Sequence, residues 1–217
     1  PEPDGLRQTV ARLAEMGDPR KEAPTIVGRP TDSKKFLRSY ALVDIETGKA
    51  VGTKTRFKVR WDDEGAVIFE IKCDEPDMKN LFVTDDVWTG DSIAIQLETQ
   101  GHAYYQIEVN PDGKIFDADR HGRLNQRWKS NATVKTERGA DFWSVVVRIP
   151  VVDAEEGAAD PNHHVVGAKP GMDSPWYMNV GRSRVRPSGK TSWSFPHTGL
   201  GRTPETRFRR ATGRDTR

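Results

Sequence analysis

Acids, histidines, arginines and tryptophans are the residues of this 217-residue chain that could do chemistry. The acids group at Asp62/Asp63/Glu64, Asp74/Glu75/Asp77, Asp85/Asp86/Asp91 and Asp117/Asp119. Hydrolysis by acid and base needs two carboxylates set across a substrate, with their pKa values pushed apart. Nothing in the spacing singles out such a pair, and most of these acids stand at turns, where Asp is favoured anyway. The sequence holds no GxSxG elbow, no Walker loop and no HExxH pair. Glycosidase-type catalysis is therefore not expected.

The stretch "DADRHG", Asp117 to Gly122, half-matches a calcium loop, with Asp117, Asp119 and Gly122 at loop positions 1, 3 and 6. His121 stands at position 5 and Trp128 where a bidentate Glu belongs, so it is not an EF-hand, though a looser calcium site is open to it. The histidines are His102, His121, His163, His164 and His197, without metal-ligand spacing. Met78, Met172 or Met178 paired with a histidine would suit haem ligation, at the level chance alone provides. The lone cysteine, Cys73, rules out an internal disulfide and continues the alternation of Val67, Phe69 and Ile71, so a buried structural thiol is expected.

Arg182, Arg184 and Arg186 alternate after Trp176, Met178 and Val180. Three arginines cannot simply follow three apolar side chains into a core, so a break near Gly181 is expected, with the arginines in solvent or lining a polar rim. Trp61, Trp143 and Trp176 sit within strand alternation and are assigned to the core. Trp88 and Trp128 lie in polar settings, "DDVWTGD" and "LNQRWKSN". A sugar offers a flat C–H face ringed by hydroxyls. An indole can stack on that face while amides and charged groups bond the hydroxyls. Each of these two tryptophans could instead plug an end of the fold.

The elements that would hold these residues follow from a hydrophobic period of two. Strands are predicted at Phe36 to Val43, Thr55 to Trp61, Ala66 to Cys73, Ser92 to Leu97, His102 to Asn110, Lys114 to Asp117, Asn131 to Thr136, Phe142 to Ile149, Pro175 to Val180 and Thr191 to Phe195. Turn residues separate them, as in Asp62–Gly65 and Asn110–Gly113. Many short strands without intervening helices predict an all-β antiparallel sandwich. In "WTGDSIAIQLETQGHAYYQIEVNPDG" the apolar sets Ile93/Ile95/Leu97 and Tyr105/Ile107/Val109 suit a core, leaving Ala94, Gln96, Gln106, Glu108 and Asn110 on the other face. Leu6, Val10, Leu13 and Met16 predict a short N-terminal helix, so residues 1–35 are read as helix and linker. Residues 36–210 form the sandwich and 211–217 a disordered tail, within an arginine-rich end expected to fray. Residues 150–174 are read as one long connection.

Composition sets further bounds. Net charge is +2, from 34 basic and 32 acidic residues, which offers no footprint for nucleic acid. No apolar run is long enough to span a membrane. The chain opens Pro1-Glu2-Pro3 without an initiator Met, which suits a piece of a longer protein.

Six blocks in order, "FKVRWDDEGAVIFEIKCDEP", "WTGDSIAIQLE", "YYQIEVNPDGKIFD", "FWSVVVRIP", "PWYMNVGRSR" and "SWSF", resemble the family 9 carbohydrate-binding modules over roughly residues 37 to 210. The resemblance implies an antiparallel β-sandwich related to the DOMON-like group, which binds oligo- or polysaccharide without bond chemistry. It implies fusion to a glycan-processing protein and an extracellular or periplasmic setting. Trp88 matches the family's stacking Trp and Asn110 its hydroxyl-gripping Asn. Gln106, Glu108, Trp128, Asn179 and Arg182 complete the expected carbohydrate site, and the family's structural calcium is a further expectation. The chain departs from the family at Ala94, where an acid is common, at Glu108, where a base can stand, and in "HTGLGRTPETRF", which lacks a second stacking Trp. Two other readings are a structural accessory sandwich and a haem-binding electron-transfer module.

Overall fold

Alternation builds the strands that were expected, and their order can be followed in a computed structural model. It describes residues 25–27, 39–44, 47, 49–100, 102–121, 124–169, 176–186, 188–192 and 209–214. The elements are β1 Thr25–Val27, β2 Tyr40–Ala41, β3 Val43–Asp44, β4 Thr55–Trp61, β5 Ala66–Asp74, β6 Ser92–Thr99, β7 His102–Val109, β8 Ile115–Asp119, β9 Thr133–Arg138 and β10 Phe142–Val152. There follow a short helix α1 Ala154–Ala159, then β11 Val165–Val166, β12 Trp176–Val185, β13 Ser188–Ser192 and β14 Arg209–Arg214.

Two mostly antiparallel sheets pack face to face. One runs β11-β10-β5-β4-β1, with β9 also on β10 and β2 on β4. The other runs β14-β12-β6-β7-β8, with β13 on β12 and β3 on β13. β1 and β14 pair with each other in parallel, so backbone hydrogen bonding passes from one sheet to the other along that side. Phe57, Val59 and Trp61 of β4, Val67, Phe69, Ile71 and Cys73 of β5, and Trp143, Val145, Val147 and Ile149 of β10 face inward. They meet Ile93, Ile95, Leu97, Tyr105, Ile107, Val109, Trp176, Met178 and Val180 of the second sheet. Full burial of one such side chain stabilises by about 1.5–3 kcal/mol. Trp61 and Trp176 join the sheets edge to face, with ring centroids 5.7 Å apart. All three tryptophans assigned to the core are in it, and so is Cys73.

The β4–β5 turn is shaped by Asp62, whose Oδ1 accepts the backbone N–H groups of Glu64 and Ala66 at 3.0 and 2.8 Å. Gly65 follows at φ 79°, a left-handed conformation that only glycine adopts without strain.

Several expectations need revising. The predicted N-terminal helix lies outside the described residues. A strand, β1, stands inside the stretch read as linker, and β14 runs on to Arg214, into the stretch read as tail. The connection after β10 is not one loop: Asp153 caps α1 by accepting Glu156 N–H at 2.9 Å, and β11 follows. The break expected near Gly181 is absent. β12 keeps register with β6 through Gly181↔Ala94, Arg182↔Ile93 and Ser183↔Ser92. Arg182 therefore does enter the interior.

Candidate functional site

The outer face of the second sheet carries the polar residues that parity assigned to it. Gln96 of β6 lies opposite Gln106 of β7 on one side and Asn179 of β12 on the other. Ala94 lies opposite Glu108, and Glu108 opposite Phe116 of β8. Asn179 Nδ2 donates to Gln96 Oε1 at 3.4 Å, and Gln106 Nε2 donates to Glu108 Oε1 at 2.5 Å. Arg120, just past β8, donates from Nε to Gln106 Oε1 at 2.8 Å. A chain of hydrogen bonds thus runs Arg120–Gln106–Glu108.

Trp88 stands at the edge of this face, on a single helical turn, Val87–Thr89. Val87 is buried and anchors the turn, while Asp86 Oδ1 accepts Trp88 N–H at 3.2 Å. The indole meets Phe116 edge-on at 4.8 Å, and the Arg120 guanidinium lies 5.3 Å from its ring centre. It remains 38% exposed. Asp91 closes the loop beneath it, its Oδ2 accepting Phe82 N–H at 2.9 Å and its Oδ1 accepting Val185 N–H at 2.6 Å. Gly90 fits there because a Cβ would come within 2.9 Å of the Phe82 carbonyl.

The site residues expected from sequence do not all gather at Trp88. Gln106, Glu108 and Asn179 share the face, yet they are buried, so the amide row does not form the water-facing shelf that alternation suggested. Alternation fixes which face a side chain takes and not how deep that face lies. Asn110 is also buried. Its Oδ1 accepts the N–H groups of Asp112 and Lys114 at 3.0 and 2.9 Å, and its Nδ2 donates to the Thr84 carbonyl at 3.0 Å. It pins the Trp88 loop to the β7–β8 turn and, at 0% exposure, stands out of a sugar's reach.

Trp128 is buried, 1% exposed, with Nε1 donating to the His164 carbonyl at 3.1 Å. It stacks on Tyr105, which stacks on His102, with centroids 4.7 and 4.1 Å apart. These rings line a cavity of about 320 Å³ together with Gly157, Pro161 and Val166. Trp128 is therefore an end plug and not a second platform. Arg182 is not a rim donor: it is buried with Glu75, Thr55 and the Asp74 carbonyl. The argument against a core arginine fails because a carboxylate is waiting for it.

Phe116, Arg120 and the free amide nitrogen of Gln96 complete the face, and the first two went unnoticed in the sequence. A signal existed. The Asn110–Gly113 turn sets Glu108↔Phe116 and Gln106↔Ala118, so residues 116, 118 and 120 continue the outer parity. Arg120 was masked by the "DADRHG" reading. That stretch does not fit a cation: Asp117 accepts from Ser130 Oγ at 2.6 Å, and Asp119 pairs with His102 at 2.7 Å. Among the described residues no cluster of three or more His, Cys, Asp or Glu side chains could hold a metal ion. Burial holds Asp117 above the ordinary carboxylate range, against the Ser130 hydrogen bond.

Together these elements define an all-β sandwich with an exposed indole, Trp88, at the edge of a polar sheet face. Solved structures share that fold. A candidate carbohydrate-binding protein from Bacteroides uniformis superposes with a TM-score of 0.64 at 16% identity, covering 88% of this chain and 98% of that one. A family 9 carbohydrate-binding module from Caldicellulosiruptor kristjanssonii, in complex with cellotriose, gives a TM-score of 0.59 at 13% identity, covering 90% and 91%. The glucose complex of a family 9 module from the same organism gives 0.59 at 14%, covering 90% and 93%. The chain thus has the family 9 type of sandwich. No protein-family model matches the sequence. No curated protein matches it either.

Proposed function

We propose that this chain is a non-catalytic carbohydrate-binding module, serving a larger glycan-processing protein outside the cytoplasm. The observation that carries the reading is Trp88, a large ring left 38% exposed at the edge of a polar sheet face. Phe116 steadies the indole, and the Arg120–Gln106–Glu108 chain stands beside it. A sugar ring packs its C–H face on the exposed indole and turns its substituents toward Arg120. One-sided stacking gives only about 1–3 kcal/mol per ring, by analogy with base stacking, so single sugars bind weakly. The shared fold, whose neighbours hold cellotriose and glucose, supports the reading without establishing it.

Titration calorimetry of the wild type and Trp88→Ala against neutral and acidic oligosaccharides tests this. Binding that Trp88→Ala abolishes supports the platform. Equal binding by both proteins removes it. The burial of Gln106 and Asn179 favours a second reading, a purely structural sandwich, in which case no glycan binds at all.

A further inference from the structure

We infer that the sugar taken at this face carries a carboxylate, that of a hexuronic acid residue, and that Arg120 recognises it; this rests on the saccharide reading above. Each other partly or fully buried arginine among the described residues has an acidic partner. Arg56 pairs with Asp74, Arg60 with Glu70, Arg148 with Asp62 and Glu64, and Arg182 and Arg184 with Glu75. Arg120 makes no ion pair with any of these described acids. Among the described residues its one side-chain hydrogen bond is Nε to Gln106 Oε1, and its Nη2 is sealed from solvent without an acceptor.

Geometry says which edge of the guanidinium is left. Glu108 fixes the Gln106 amide from one side, so Gln106 Oε1 is turned to Arg120 Nε. With Nε engaged and Nη2 sealed, Nη1 is the nitrogen a ligand can reach, and a carboxylate accepts a charge-assisted hydrogen bond from it.

The group left to a ligand is an N–H donor, and no side-chain acceptor is orphaned on this face among the described residues. A hydroxyl would answer a donor but bring a proton needing its own acceptor. A carboxylate only accepts. Glu108 does not cancel the preference, because it is buried and its Oε1 accepts from Gln106. The guanidinium lies over the Trp88 ring, 5.3 Å from its centre, so a pyranose packed against the exposed part of that indole brings its exocyclic C6 group beside it.

The test compares oligohexuronates with the same oligomers methyl-esterified, by calorimetry on the whole chain, for wild type, Arg120→Gln and Arg120→Lys. Wild type should favour the acid about ten-fold or more, the weight of one charge-assisted hydrogen bond. Arg120→Gln should bring the ratio near one, and Arg120→Lys should keep part of it, since the charge survives on a shorter side chain. Thermal melts confirm that the variants fold. An ester bound as tightly as the acid, or a ratio unchanged in Arg120→Gln, overturns the inference and leaves the Trp88 platform standing. No binding of either form, together with none of neutral glycans, sinks both.

Discussion

Arg182 spans the gap between the sheets to reach Glu75: its Nη2 lies 2.8 Å from a Glu75 oxygen, and both side chains are 1% exposed. Arg184 takes the other oxygen at 2.7 Å, so one buried carboxylate serves two guanidinium groups. Removing the acid strands a charge in the interior, which costs about 3–5 kcal/mol. Glu75→Gln should therefore destabilise severely in urea denaturation. Arg182→Met should cost less, because it removes the charge that needs pairing and leaves Glu75 with Arg184. If Glu75→Gln costs under about 1 kcal/mol, the pairing is not what holds this end together.

The same pair shows what a sequence can and cannot disclose. Strand positions were legible because inward and outward residues alternate in β4, β5, β6, β7 and β10, a local property of each strand. The partner of Arg182 was not legible, because Glu75 stands 107 residues away and only the fold brings them together. Asn110 was expected to grip a sugar hydroxyl, yet its buried amide bonds three backbone groups. Its role is local turn chemistry, which the Asn110-Pro111-Asp112-Gly113 sequence announces by itself. Gln106 was placed on the right face. Its depth depends on what lies over that face, which no alternation reports.

Asn110 leads to the second prediction. Asn110→Ala loses the bonds to Thr84, Asp112 and Lys114. That should cost about 1–3 kcal/mol, the penalty for leaving buried partners unmet. Hydrogen exchange should speed up over residues 82–91, because the tie to the Trp88 loop is gone. Asn110→Asp keeps the acceptor for Asp112 and Lys114 but sets a buried carboxylate oxygen against the Thr84 carbonyl, so it should loosen the loop at no smaller a loss of stability. Unchanged exchange over that loop in Asn110→Ala would show that Asp91 alone holds it.

The His102–Asp119 contact predicts a pH dependence. Burial works to raise the Asp119 pKa, but the hydrogen bonds from His102 and the His121 N–H outweigh it and hold the group below its ordinary 3.8. A depressed carboxylate contributes stability that is fully present above the unfolded value. That contribution is lost as pH falls through the folded one. The difference in unfolding free energy between wild type and Asp119→Asn should therefore be constant well above pH 3.8 and shrink below it. A difference that grows on acidification contradicts the assignment.

Cys73 gives a test at the other end of the pH scale. Burial pushes its thiol up to about 12, against the opposing pull of the Arg182 guanidinium and a hydrogen bond with Thr55. The thiolate is the reactive form, so the native protein should resist thiol reagents at pH 8 and label only as it unfolds. Because the folded pKa is raised, the unfolded chain gives up its proton first. Stability then falls as pH climbs from 9.0 toward about 12. In Cys73→Ala that part of the slope, about 1.4 kcal/mol per pH unit at most, should vanish. Rapid labelling of the native protein at pH 8 would place Cys73 at the surface and contradict the inward parity of β5.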